Sequence, residues 1–197
     1  MSSTRRTPRA TRRSVRSATP PEGYRYRPDL IGEAEELELA ARIRELPLKE
    51  FEFQGYLARR RVAYYGWQYS YAARAIGRAE AIPEFLLPLR ERAAAFAELP
   101  AADLEQVLVA EYSPGTPIGW HRDKPMFGDV VGVSLLSPCT LRFRRRAGDR
   151  WERYSLTAEP RSAYLMRGPA RTEWEHSIPA VPELRYSVTF RTLRRLA

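Results

Sequence analysis

Arg185-Tyr186-Ser187-Val188-Thr189-Phe190-Arg191, near the C-terminus, alternates strictly between two chemistries. On an extended backbone successive side chains point to opposite faces, so Tyr186, Val188 and Phe190 share one face while Arg185, Ser187, Thr189 and Arg191 share the other. The apolar face belongs in a core. Turned inward, a row of two arginines and two hydroxyls is costly unless an anion meets it. A dicarboxylate would do so, because the planar fork of arginine matches carboxylate oxygens two at a time. Turned outward, the same row is the solvated face of an arginine-rich strand. Both readings stand on this segment alone.

The pattern continues upstream. From Leu104 onward the chain reads as short strands near 105–112, 129–136, 140–146, 151–157, 162–167 and 185–194, separated by Gly and Pro clusters. Ahead of them, Glu33 to Leu46 reads as an amphipathic helix with Ala34, Leu37, Leu39, Ala40, Ala41 and Ile43 in its apolar stripe, stopped by Pro47. Glu84 to Glu98 reads as a second, with Pro88 in its first turn. Tyr24 to Pro28 reads as an extended linker. The fold class is therefore α+β, mainly β: a β-sandwich or jelly roll braced by two N-terminal helices.

A chain of 197 residues suits one domain with a core of its own. One cysteine excludes an intramolecular disulfide and any multi-cysteine metal site, which points to a reducing compartment, and the cytoplasm fits best. No run approaches the length of a membrane span, so no membrane is expected. The net charge of +9 suggests nucleic acid, but residues 1–21 hold six arginines and no acid, leaving +3 for the rest. That segment, poor in large apolar residues, reads as a disordered basic tail able to track phosphates. A coding bias toward arginine would produce the same composition. Residues 22–197 read as a single domain, expected to be monomeric.

Both histidines lie in the β-rich half. His121 and Asp123 are two residues apart, so on an extended backbone they address a common point, and His176 could close the site from a distant strand. Two histidines and one carboxylate form the triad that leaves positions of Fe(II) open. Surface residues, a hydrogen-bonded core imidazole or a zinc pair would leave the same trace.

Taken together, Tyr112-Ser113-Pro114-Gly115, His121-Arg122-Asp123-Lys124, Gly168-Pro169-Ala170-Arg171 leading to His176, and Arg185 to Arg191 resemble the AlkB-like family of Fe(II)- and 2-oxoglutarate-dependent dioxygenases. The resemblance covers about residues 50–195 and implies a double-stranded β-helix, the jelly-roll fold of that family. It implies that His121, Asp123 and His176 bind Fe(II), that Arg185 pairs with the distal carboxylate of 2-oxoglutarate, and that Tyr112 bonds to the cosubstrate. Ser187 would stand beside it, and Arg191 near its other end and Asp123. The implied reaction consumes O2 and 2-oxoglutarate, releases succinate and CO2, and hydroxylates a C–H bond; on an N-methyl group the product decays to formaldehyde and unmodified base. The sequence departs from the family at Ala110 and Ser187, where demethylases often carry asparagine, and at Pro125, where some members carry a base-contacting acid.

Residues 50–71 correspond to the family's substrate lid. Arg59, Arg60 and Arg61 could neutralise phosphates, while Trp67 and Tyr69 could reach the mouth of the site and stack on an extruded base. Core aromatics and solvated arginines are the competing reading. Trp120 and Trp174 are expected to pack in the barrel wall, Cys139 in the core, and Arg142, Arg144, Arg145 and Arg146 along a solvated strand edge or a phosphate track. The expected function is oxidative demethylation of alkylated bases in DNA or RNA. The alternatives are hydroxylation of a modified tRNA nucleoside, demethylation of a protein side chain, and a nonenzymatic basic RNA-binding β-protein.

Overall fold

In the computed structural model the strand just described runs through the middle of a seven-stranded sheet, where neighbours on both sides fix its register. The structure describes residues 14–16, 19–53, 56–70 and 75–194. In chain order these form β1 (Ser14–Arg16), β2 (Tyr24–Arg27), α1 (Glu33–Arg44), β3 (Lys49–Phe53), β4 (Tyr56–Tyr65), β5 (Trp67–Ser70), β6 (Ala75–Arg78) and α2 (Leu87–Ala97). There follow β7 (Gln106–Tyr112), β8 (Ile118–His121), β9 (Phe127–Leu135), β10 (Cys139–Ala147), β11 (Arg150–Ala158), β12 (Ala163–Met166), α3 (Gly168–Thr172), β13 (Glu175–Ile178) and β14 (Arg185–Leu193). The larger sheet has the order β2-β12-β9-β14-β7-β4-β3 and the smaller β1-β11-β10-β13-β8, while β5 and β6 pair as a separate ribbon. The result is a mainly β, jelly-roll architecture with helices on one side.

Alternation along β14 divides the interior in two. Tyr186, Val188 and Phe190, with Val107, Val109, Val131 and Val133 from the flanking strands, pack against Ile43 of α1 and Leu89 and Ala93 of α2. The opposite face of the same strands contributes Leu108, Ala110, Tyr112 and Val130 to a second core, completed by Leu141 and Phe143 of the smaller sheet. The polar row of β14 lies on this second side, between the sheets.

Several expectations are corrected. On α1 the buried face is Glu36, Leu39, Ala40 and Ile43, and Leu37 is 59% exposed. The helix is turned this way because Glu36 accepts a 2.8 Å bond from the Leu136 backbone N–H and pairs at 2.9 Å with Arg161. The second helix begins with a 3₁₀ turn at Glu84–Leu86, and Pro88 sits where its missing N–H costs nothing. Tyr24–Arg27 is no linker: β2 pairs antiparallel with β12. Within the expected tail, residues 1–13 and 17–18 lie outside the described residues, but the backbone of Ser14–Arg16 forms β1, parallel to β11. Trp120 does not pack in the barrel wall, because it lies half-exposed under Arg142 and Arg144.

Gly66 makes the turn that aims the ribbon. Its φ is +74°, and a Cβ there would lie 2.0 Å from the Glu105 carbonyl oxygen, so only glycine lets β4 pass directly into β5.

Candidate active site

Both histidines lie on strands that the sequence pattern did not reveal, β8 and β13. The two strands pair antiparallel with His176 opposite His121. The rings stand 4.2 Å apart between centroids at 53°. Asp123, just beyond β8, brings Oδ2 to 4.0 Å from His176 Nε2, the side chains being only 9% and 12% exposed. Its Oδ1 accepts a 2.9 Å bond from Arg191, whereas Oδ2 is buried without a hydrogen-bond partner.

His121 Nδ1 lies 2.9 Å from the Gly119 carbonyl. A carbonyl only accepts, so Nδ1 carries the proton and Nε2 is left with its lone pair, the orientation a metal ligand needs. Burial lowers the pKa of His121, and it pushes His176 down to about 3 with help from His121. Both imidazoles are therefore neutral at physiological pH. Burial alone would raise the Asp123 carboxyl, but Arg191, His176, His121 and Arg171 outweigh it and hold the group well below the ordinary carboxylate range. Two neutral imidazoles and a carboxylate with an unsatisfied oxygen form an N,N,O donor set that suits Fe(II). Among the described residues, no group of three or more His, Cys, Asp and Glu is spaced to hold a metal ion as it stands.

These shifts make the metal-free fold acid-labile. A histidine held neutral in the fold binds its proton more readily when unfolded, so stability falls as pH drops from about 6.5 toward 3, by up to about 1.4 kcal/mol per pH unit for His176. Asp123 adds to the loss at the acid end, since its depressed pKa contributes stability only above the ordinary carboxylate value. Urea titrations of the metal-free protein from pH 7 to 4 should show this decline; a flat profile would contradict the assignment of neutral, buried imidazoles.

Beyond the triad the polar row of β14 forms the floor of the space between the sheets. Arg185 is fully buried, yet its Nη1 and Nη2 have no hydrogen-bond partner. Its Nε donates to Ser134 Oγ at 3.2 Å, and its Cζ lies 4.9 Å from the ring of Tyr112, the residue opposite it on β7. Ser187 Oγ lies 3.4 Å from Thr189 Oγ1. Arg191 is clamped by Gln106, to which its Nη1 donates at 2.9 Å, and by Asp123.

Three contributors went unassigned in the sequence. Tyr164 lies over Gly132, where a Cβ would come within 2.2 Å of its ring; inward alternation on β12 was the available signal. Arg171 donates to the Lys124 and Phe127 carbonyls at 2.5 and 3.0 Å and so braces the turn after Asp123. Gln106 follows from the register that sets it opposite Arg191.

The expected lid residues separate. Arg61 points away from the site and makes a bidentate pair, both bonds 2.8 Å, with Glu111, which also meets Tyr186 Oη at 3.3 Å. This corrects its assignment as a phosphate contact, since alternation on β4 places it on the helix side. Arg61→Ala should lower stability by about 1–2 kcal/mol in thermal melts, by stranding Glu111, without changing nucleic-acid affinity. Arg60 is on the other face, near enough to help depress His121. The Arg59 side chain lies outside the described residues. Trp67 is covered by Arg78, 4.2 Å from its ring centre, and belongs to the ribbon. Tyr69 lies closer to the triad, its ring 4.8 Å from Nζ of Lys124, the residue after Asp123.

Comparison with known proteins fits this geometry. The family model of the 2OG-Fe(II) oxygenase superfamily matches residues 23–191. The chain is 30% identical over 196 residues, 86% of its length, to a protein of Arabidopsis thaliana named alkylated DNA repair protein ALKBH8 homolog, of which the match covers 55%. It is also 30% identical over 102 residues to the uncharacterized protein L905 of Acanthamoeba polyphaga mimivirus, with 45% of this chain and 48% of that protein covered. The chain thus spans about half the length of these relatives. Among solved structures, OsALKBH1 superposes with a TM-score of 0.67 at 17% identity, covering 89% of this chain and 99% of that one. A prolyl-4-hydroxylase of Pseudomonas putida gives 0.59 at 16% identity, covering 88% and 94%, so the fold is shared across these chains. The chain belongs to the 2OG-Fe(II) oxygenase superfamily.

Proposed function

We propose that this enzyme oxidises alkylated nucleobases in DNA or RNA, with His121, Asp123 and His176 holding Fe(II) and with Arg185, Tyr112, Ser187 and Arg191 around the cosubstrate. The observation that carries the cofactor assignment is the fully buried Arg185, whose two terminal nitrogens have no partner at hydrogen-bond geometry, with Tyr112 as a polar neighbour. A buried guanidinium without an anion is costly, and a carboxylate presented to its fork would satisfy both nitrogens at once. When bound, the iron supplies the oxidising chemistry that couples decarboxylation of 2-oxoglutarate by O2 to hydroxylation of a C–H bond.

The protein groups have separable tasks. Arg185 takes the distal carboxylate, with Tyr112 and Tyr164 closing the walls around it. Gly119 fixes the tautomer of His121, and Arg191 holds one Asp123 oxygen, leaving the other free of protein partners and so available to a metal if one were bound. Ser187 and Thr189 offer hydroxyls where demethylases of this family often place asparagine at the former position.

Nucleic acid is supported by Tyr69 and Arg60 beside the mouth, by Lys124 at its edge, and by a sequence relative whose name refers to alkylated DNA repair. An extruded base could stack on an aromatic ring for about 1–3 kcal/mol while cations neutralise its flanking phosphates. The test is a panel of N-methylated single- and double-stranded DNA and RNA, read by formaldehyde release and base mass. Methyl loss or a hydroxymethyl base is expected on at least one member. Uncoupled succinate formation without any base product would overturn the substrate assignment.

A further inference from the structure

The outer face of the smaller sheet plays no part in the chemistry above, yet it concentrates cations. Pairing fixes its membership. Arg142, Arg144 and Arg146 alternate with inward-facing residues of β10 and lie opposite Ser155, Arg153 and Trp151 of β11. On the other side Ser177 and Glu175 of β13 lie opposite Arg142 and Arg144.

Flat groups stack across this face in one series. Arg142 Cζ lies 5.1 Å from the Trp120 ring centre, and Arg144 Cζ lies 4.4 Å from Trp120 and 4.4 Å from Trp151. Arg146 Cζ follows, 5.2 Å from Trp151. The order Arg142, Trp120, Arg144, Trp151, Arg146 draws on β8, β10 and β11 in one stack, with Trp120 reaching over β13. Stacking holds long side chains in place, so less rotamer entropy is lost when they meet a partner.

Most of this charge is not neutralised internally. Arg144 pairs with Glu175. Among the described residues, no carboxylate forms an ion pair with Arg122, Arg142, Arg146 or Arg153. A cleft of about 230 Å³ opens here, lined by Arg122, Arg144, Arg145, Arg146 and Trp151 with Glu173 and Glu175, of which Arg145 is paired with Glu152 and Glu173 while Arg122 and Arg146 have no ion-pair partner among the described residues.

We propose that this arginine–tryptophan ladder docks the phosphate backbone of a nucleic-acid strand, apart from the pocket that receives the base. The proposal deepens the nucleobase reading and rests on it for the class of partner. Alternate residues of a strand are about 6.7 Å apart, which gives the evenly spaced row of cations that a repeating polyanion can follow. Guanidinium forks bind phosphate oxygens two at a time, and exposed indole edges tolerate any base. The face is continuous with the site, because Arg122 lies in sequence between His121 and Asp123 and lines the cleft. At the far edge β1 sets Arg16 opposite Arg153 in backbone register.

The test measures binding of the full chain to a labelled, unmodified single strand of RNA or DNA across a salt series. Arg146→Gln with Arg153→Gln should weaken binding about tenfold and reduce the steepness of log K against log salt by about 1.4, or 0.7 for each lost contact. The lysine pair at the same positions should restore the slope. Uncoupled succinate formation should be equal in all forms, which shows that the fold and the reaction centre are intact. An unchanged affinity and slope in the glutamine pair would overturn the proposal, as would equal binding to an acidic polypeptide. Base oxidation with an unchanged slope rejects the docking face alone. A reduced slope without base oxidation on the methylated panel rejects the substrate reading alone.

Discussion

Arg185→Gln is expected to raise the 2-oxoglutarate concentration for half-maximal turnover by about 10²- to 10⁴-fold, the loss of two charge-assisted hydrogen bonds worth about 1.5–3 kcal/mol each. The same change should not destabilise the ligand-free protein as an ordinary core mutation would. It removes a fully buried charge whose terminal nitrogens have no partner, so the melting temperature without cosubstrate should hold or rise. Wild-type protein should gain thermal stability on adding 2-oxoglutarate, and the glutamine variant should lose most of that gain. Arg185→Lys should fall between, because it keeps the charge and loses the fork. A wild-type affinity in Arg185→Gln would show that the guanidinium has some other partner.

The second large effect is expected at Asp123. Asp123→Ala removes the buried oxygen that no protein group satisfies, together with the acceptor of Arg191, and should abolish coupled turnover. Arg191→Gln is the graded comparison: the carboxylate remains but loses the donor that orients it, which should weaken metal binding about 10- to 100-fold. Iron affinity measured directly, alongside succinate formation, separates the two cases. Equal iron affinity in wild type and Asp123→Ala would remove this carboxylate from the metal site.

How much of this was legible in the sequence depended on length and regularity. The six strands from 105 onward were readable because each is long enough for alternation or an apolar run to stand out, and β14 told its faces apart residue by residue. β8 and β13 escaped because their four residues, Ile-Gly-Trp-His and Glu-His-Ser-Ile, show no unbroken apolar run, whereas the equally short β12 is apolar throughout. The sequence therefore offered the histidines without the strands that pair them. α1 was placed well but turned wrongly, since a periodicity argument puts Leu37 inside and cannot anticipate that Glu36 is needed there for Leu136 and Arg161. The lid arginines looked equivalent as a triplet. Strand alternation separates Arg60 from Arg61, and Glu111, fifty positions away, fixes which faces the helices. The docking face was hidden for a similar reason: its tryptophans and arginines come from strands distant in the chain, and pairing alone brings them into one stack.

The central claim is that His121, Asp123 and His176 hold Fe(II) beside a cosubstrate anchored by Arg185. Anaerobic titration of the metal-free protein with Fe(II) and 2-oxoglutarate tests it most directly, through the visible charge-transfer absorption of the chelate. Wild type should develop the band only when both are present, and Asp123→Ala and His176→Ala should not develop it. A folded wild-type chain that gives no band, or a ligand variant that gives the same band as wild type, would contradict the account.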